Sequence, residues 1–315
     1  MSQGHASPRS WDSHRERSTQ AMLNLLVNTT LFLGRTTMRI VLWPVVWYFW
    51  LTGSRLRRAS REILSRVLGR KPSAREVLRH LHTFAVVFID RVYLLGGRSQ
   101  ELDIEARVPD DVLQVFDARR GCLLLVAHFG SFEVLRVKGT MRGEAPIRIV
   151  LDRQVGRMAM SLLEKLNPVL ASGIIDAARR GPELMLDIKQ AVEAGDIVGM
   201  MADRARADER AVVVRFLGGE VRLPAGPWIV AGMLDVPVIL GFGTFRGGRR
   251  YECRLELFAR HVELPREARE EALRNHAQRF AERLEEQVRA SPFNWFNFYD
   301  YWLEERTPRD AARTH

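Results

Sequence analysis

Cysteine is nearly missing from this chain of 315 residues. Only Cys122 and Cys253 occur, each inside an apolar run that reads as a strand. Two such distant residues build neither a disulfide framework nor a cysteine-rich metal site, which fits a reducing compartment. Lysine is almost as scarce: Lys71, Lys138, Lys165 and Lys189 stand among 48 basic residues, and arginine supplies the rest. Acidic residues number 38, so the formal net charge is +10. That excess needs an anionic counterpart, whether nucleic acid, an anionic membrane face or an acidic protein. Zinc-finger spacing, an RNP sequence and a lysine-rich tail are all lacking, which argues against nucleic acid. An uninterrupted apolar run of the ~20 residues that span a bilayer is lacking too.

What is present is an ordinary globular balance, 46% hydrophobic and 27% charged, enough apolar material for a substantial core. Residues 1–19 are polar and read as a disordered tail, without the cleavage site of a secretory signal. Residues 20–98 read as a helical, membrane-associating segment. Its Ile40–Leu51 run carries Trp43, Trp47, Tyr48 and Trp50, rings suited to a membrane interface. Arg55, Arg57, Arg58 and Arg61 follow at once, a basic patch suited to anionic lipid. The alternative is a buried aromatic helix. Pro44 is expected to kink this helix. Further on, Val77, Leu81, Phe84, Phe88 and Val92 recur at helical spacing until Gly96 and Gly97.

From residue 99 to 305 the pattern alternates between strands and helices. The apolar run Cys122–His128 predicts a strand buried on both faces. Further strands are expected at 102–106, 147–151, 196–203, 236–245 and 250–258, with a hairpin at 211–224 turning at Gly218-Gly219. Helices are expected at 110–120, 131–139, 158–166, 182–195, 227–235 and 266–290. This predicts an α/β domain with a mostly parallel central sheet flanked by helices, preceded by the N-terminal apolar membrane-associating helical segment. Residues 306–315 read as a tail.

The chemistry concentrates in GCLLLVAHFGSFEVLRV. His128 closes the buried strand, Phe129-Gly130 turns the chain, Ser131 is a candidate helix cap and Glu133 falls in the first helical turn. Ligands of open α/β sheets bind beyond the carboxyl ends of strands. A tight turn can return residue i+5 to residue i, so Glu133 is expected to accept a hydrogen bond from His128 and stabilise its imidazolium. That is two-thirds of a hydrolase triad, with the nucleophile left to the substrate's own hydroxyl. Ser131 lacks a G-x-S-x-G elbow, and Cys122 lies six strand residues away, about 20 Å at ~3.3 Å each.

These residues resemble a known family. The His-x4-Glu element in VAHFGSFE is similar to the signature of the lysophospholipid acyltransferase superfamily, most closely to the bacterial lipid A late acyltransferases. MADR (201–204), VRFLGGEVRLPAGPWIVA (214–231) and VPVIL (236–240) follow in the family's order. The ending PFNWFNFYDYW (292–302) looks like a branch associated with glycolipid or aryl-polyene pathways, whereas lipid A enzymes usually end in a more basic Trp–Arg-rich stretch. The resemblance spans roughly residues 20–303. It implies a membrane acyltransferase on the cytoplasmic side of the inner membrane, without metal or cofactor. An acyl thioester, of acyl carrier protein or coenzyme A, would donate to a hydroxyl of a lipid or glycolipid. His128 would be the general base and Glu133 its orienting partner. Oxyanion donors would be backbone amides near Gly130 and Ser131, or an arginine. Arg153, Asp203 and Arg204 follow strands and are assigned, with Gly130 and Ser131, to substrate binding.

Other readings stay open. Asp203-Arg204 reads equally as a local ion pair, and the aromatic ending as a packed terminus. His80 and His82 point to different helix faces, which disfavours a metal. GFGTFRGG (241–248) matches no nucleotide-binding loop. A non-catalytic lipid-binding protein and an acyl hydrolase are the competing functions on the same fold.

Overall fold

A computed structural model describes residues 9–141, 146–153, 157–179, 181–206 and 208–303. Three helices lead: α1 (Arg9–Thr52), α2 (Ser54–Leu68) and α3 (Ala74–Leu95). The alternation follows as β1 (Asp103–Arg107), α4 (Asp110–Asp117), β2 (Cys122–Gly130), α5 (Phe132–Met141), β3 (Ile147–Leu151), α6 (Arg157–Leu166), α7 (Pro168–Ser172), β4 (Ile175–Asp176), α8 (Pro182–Glu193) and β5 (Ile197–Met201). The hairpin β6 (Ala211–Phe216) and β7 (Gly219–Pro224), then α9 (Gly226–Leu234), β8 (Val238–Gly247), β9 (Arg250–Ala259) and α10 (Arg269–Ala290), complete it.

Seven strands form one sheet in the order β1-β9-β8-β2-β5-β3-β4. Only the β8–β9 pair is antiparallel, so β1 and β9 run against the other five. The mostly parallel sheet read from the sequence is therefore present. The buried run in β2 explains its central place, because helices cover both faces. Leu123, Leu125 and Ala127 point into a core shared with α8, α9 and α10. Leu124 and Val126 point the other way, into a core shared with α3, α4 and α5. His128 has the parity of the second set, which sends its side chain toward α3 and α5.

The N-terminal helices differ from expectation in two respects. The helix runs back to Arg9, into the stretch read as a tail, while residues 1–8 and 304–315 lie outside the described residues. Its break falls at Gly34, whose φ of 75° is open to glycine and hostile to other residues, whereas Pro44 stays within helical geometry. No helix among the described residues is long and apolar enough to cross a membrane. Instead α1 is two-faced. Met38, Leu42 and Val46 are buried against the body, while Ile40, Trp43, Trp47, Tyr48, Phe49 and Leu51 are each at least 40% exposed.

Two buried polar clusters fasten these helices to the sheet. Arg35 of α1 donates from Nε and Nη2 to the two oxygens of Asp90 on α3, at 2.7 and 2.6 Å. The Tyr251 hydroxyl of β9 donates to the same carboxylate at 2.7 Å. Asp90 is 0% exposed, so loss of the guanidinium strands a charge in the interior. Arg35→Ala is expected to cost about 3–5 kcal/mol of stability. Chemical denaturation of the detergent-solubilised protein measures it, and a cost below about 1 kcal/mol would remove this pair from the fold's supports.

The second cluster is His80, wholly buried on α3. Its Nε2 lies 2.9 Å from the Trp295 carbonyl, which only accepts, so Nε2 carries the proton. Nδ1 therefore accepts from the Ser60 hydroxyl of α2, also at 2.9 Å. Burial pushes this imidazole down to about 4 from an ordinary 6.5, against the opposing pull of the Trp295 carbonyl. Between those values the unfolded chain binds the proton more readily. Stability from this group is thus complete above pH 6.5 and falls, by on the order of 3 kcal/mol, as pH drops toward 4. Unfolding curves between pH 4.5 and 7 should lose this part of their slope in His80→Gln. An unchanged slope would show that other groups set the acid sensitivity.

Candidate functional site

The register of the two central strands builds the site. Val126 of β2 pairs with Met201 of β5. Two residues further, at the carboxyl ends of both strands, this parallel pairing sets His128 beside Asp203. The Ala202 amide continues it by donating to the Val126 carbonyl at 2.9 Å.

Asp203 is 0% exposed and accepts from four directions. His128 Nδ1 lies 2.8 Å from Oδ1, and the His128 amide donates to Oδ2 at 3.1 Å. Trp295 Nε1 and Asn297 Nδ2 donate to Oδ2 at 3.2 and 3.4 Å. Burial alone would favour the protonated acid. Attraction and hydrogen bonding from His128, with the nearby Arg204, outweigh it and hold the carboxyl far below the usual carboxylate range. An ionised carboxylate only accepts, so His128 Nδ1 carries the proton. Nε2, with no hydrogen-bond partner among the described residues, is left as the proton-accepting nitrogen in the cleft, and the side chain is 33% exposed.

Glu133 does not take the place expected of it. It forms no hydrogen bond with His128; its Oε1 receives Arg91 Nε at 2.7 Å and Nη2 at 2.6 Å, and its Oε2 receives the Ser131 hydroxyl at 3.1 Å. The cause is helical geometry. Glu133 opens α5 on the side that packs against α3, where Arg91 waits. Burial would raise its pKa, yet Arg91, the hydrogen bonds and Arg136 together keep it below normal.

The backbone amides expected as oxyanion donors are also engaged. Gly130 N donates to Asn294 O at 2.7 Å, and Ser131 N to Gly243 O at 2.8 Å. These contacts explain two glycines. A Cβ on Gly130, at φ 57°, would sit 1.9 Å from Gly243 O, and one on Gly243 would sit 2.0 Å from Ser131 O. The glycine-rich β8 thus serves a close strand crossing.

The cleft beside His128 is about 360 Å³. Phe84, Phe88, Phe132, Met201, Phe296 and Phe298 give it an apolar wall, while Arg91, Glu133 and Arg204 supply charge. Arg204 donates from Nη2 to the Phe296 carbonyl at 2.5 Å and from Nε to Asn297 Oδ1, and lies over the Tyr299 ring. Its Nη1, like Arg91 Nη1, has no hydrogen-bond partner among the described residues. Of the residues assigned from sequence, His128, Gly130, Glu133 and Arg204 line this cleft, and Asp203 and Ser131 stand behind it. Arg153 is the exception. It lies in the turn beyond β3 and lines a separate depression with Arg148 and Arg179.

The aromatic ending belongs to the site. Phe129 bridges to Trp295, and Phe296 N donates to the His128 carbonyl at 2.8 Å. Tyr301 donates its hydroxyl to the Asp203 carbonyl at 2.5 Å. The sequence signal was the density of aromatics interleaved with Asn294 and Asn297, donors without an evident purpose in a simple packed end.

The model of a family described as bacterial lipid A biosynthesis acyltransferase matches residues 13–304. Among curated proteins, none matches the chain.

Proposed function

We propose that this chain, which belongs to the bacterial lipid A biosynthesis acyltransferase family, transfers a fatty acyl group from a thioester donor to a hydroxyl of a lipid or glycolipid, with His128 as general base. The observation that carries this reading is His128 itself. Its Nδ1 is held by a buried carboxylate, its Nε2 has no hydrogen-bond partner among the described residues, and the residue lines a cleft walled by aromatic rings.

His128 Nε2 takes the proton of the acceptor hydroxyl as that oxygen attacks the thioester carbonyl. Asp203 fixes the tautomer and stabilises the imidazolium. The carbonyl oxygen becomes an oxyanion. With the turn amides engaged, Arg204 and Arg91, which line the same cleft and each keep Nη1 without a hydrogen-bond partner among the described residues, are its donors in this reading. Collapse breaks the carbon–sulfur bond, and the departing thiolate recovers the proton from His128. No covalent acyl-enzyme is needed. Glu133 acts on Arg91, aiming and restraining it, rather than on His128. Gly130 and Ser131 shape the turn.

The donor in this reading is an acyl carrier protein thioester, whose acidic surface complements a chain of net charge +10. Coenzyme A is the lesser candidate. We place the enzyme at the cytoplasmic face of the inner membrane. Support comes from the exposed apolar face of α1 and the arginines of α2. Such a face buries into the headgroup boundary without crossing.

Three variants test the mechanism against one another. Transfer is expected to fall ~10²–10⁴-fold in His128→Ala. Asp203→Asn, which keeps the shape and loses the charge, should fall by a comparable factor, up to about 10⁴. Glu133→Gln should fall less, on the order of tenfold, because it weakens only the hold on Arg91. Product ester, released fatty acid and thermal unfolding are followed together. Normal transfer by a folded His128→Ala would end the proposal, and release of fatty acid to water in place of ester would make the protein a hydrolase.

Donor choice has its own signature. Exposed charge attraction is screened over ~10 Å at 0.1 M salt. Turnover with acyl carrier protein thioester should therefore weaken steeply as salt is added. Equal rates with acyl coenzyme A and no salt effect would exclude the carrier protein as the preferred donor.

A further inference from the structure

A second cavity, of about 370 Å³, lies outside the cleft used above. It sits between α1, α3, the β8–β9 turn and the 290–294 segment that follows α10. Three guanidinium groups from three different elements surround it: Arg39 of α1, Arg79 of α3 and Arg246 of β8.

Two of the three carry unused donors. Arg79 lies over the Phe293 ring at 4.3 Å and makes no hydrogen bond from its guanidinium to a described residue. Arg39 donates from Nη1 to the Gly248 carbonyl at 3.2 Å, while its Nε is buried without a partner among the described residues. A buried donor left unmet costs about 1–3 kcal/mol, so such groups ordinarily have an acceptor. Arg246 is partly neutralised, by Glu252 at 2.6 Å, and its Nη1 donates to Ser291 Oγ at 2.9 Å. Glu252 is the carboxylate paired at this site, which leaves the cavity clearly cationic. His82, also in the lining, donates from Nε2 to the Arg39 carbonyl and adds no charge, because burial lowers its pKa.

The rim identifies the setting. Trp43 stacks on His82 with ring centres 4.2 Å apart and is 40% exposed, on the same helix face as Ile40 and Trp47. The cationic cavity therefore opens beside the exposed apolar face of α1. Converging guanidiniums suit the tetrahedral oxygens of phosphate better than any neutral group.

We infer that this cavity binds the phosphate headgroup of an anionic membrane lipid, whose acyl chains lie along the exposed face of α1. It would seat the protein on the bilayer in a fixed orientation, independently of the chemistry at His128.

The test uses the full-length protein and two vesicle types, phosphatidylcholine alone and phosphatidylcholine containing phosphatidic acid. Arg39→Gln with Arg79→Gln removes the two under-used cations. Arg55→Gln with Arg61→Gln removes the same charge from exposed positions of α2. The cavity pair should lose on the order of tenfold or more in binding to the phosphatidic acid vesicles. Its binding to plain phosphatidylcholine should be unchanged, and the α2 pair should lose clearly less on the anionic vesicles. Arg79→Gln alone, at an exposed position, gives the same reading at smaller size should the double variant unfold. Equal losses from the two pairs would show diffuse attraction and overturn the site. So would equal wild-type binding to both vesicle types. Inorganic phosphate raising the unfolding temperature as much as phosphatidic acid vesicles do would make it a solute site rather than a lipid site.

Discussion

Asp203 has no exposed surface, and a carboxylate removed from water must be met on every side by donors. The surroundings of this one group organise the active end of the molecule. β2 and β5 have to pair in the register that brings residue 203 beside residue 128. The chain has to return from α10 to deliver Trp295 and Asn297. Tyr301 has to hold the Asp203 backbone from behind. Each demand fixes an element far away in sequence. Together they fix the imidazole with one nitrogen occupied and the other turned to the cleft. A strand end, usually the loosest part of a sheet, becomes rigid because a buried charge would be stranded by any movement.

The helical N-terminal region follows the same logic on a second carboxylate. Asp90 gathers Arg35 from α1 and Tyr251 from β9. Those three elements are locked around the wall that α3 gives the cleft. α3 is shared property: its Arg91 reaches Glu133, its Phe84 and Phe88 line the cleft, and its His80 is bonded to the carbonyl of Trp295. The aromatic ending is thus clasped between α3 on one side and Asp203 on the other. This arrangement accounts for an α1 that is apolar outside yet pinned by the Arg35–Asp90 ion pair inside.

Much of this was legible from residue order. The buried run Cys122–His128, the strand Ile147–Leu151 and the hairpin 211–224 each announced themselves through apolar continuity, alternation or a glycine turn, and the strand-end placement of His128 followed. The partner of His128 was less accessible. Sequence proximity favoured Glu133, five residues away, over Asp203, 75 residues away. Only the β2–β5 adjacency reveals that the second is nearer, and strand order is not written in local periodicity. Arg153 shows the same limit: it follows a strand as expected, but it lies in the turn beyond β3, whose path local periodicity does not give. The aromatic ending was visible as a composition and opaque as a function, because its donors acquire meaning only once Asp203 is buried among them.

Asp203, and not Glu133, holds the proton-bearing nitrogen of His128. Proton NMR of protein labelled with ¹⁵N-histidine tests it most directly, by following the Nδ1–H signal of His128. A downfield, slowly exchanging Nδ1–H resonance is expected to persist in Glu133→Gln and to disappear in Asp203→Asn, with both variants folded. Loss of the resonance in Glu133→Gln together with its survival in Asp203→Asn would contradict this assignment.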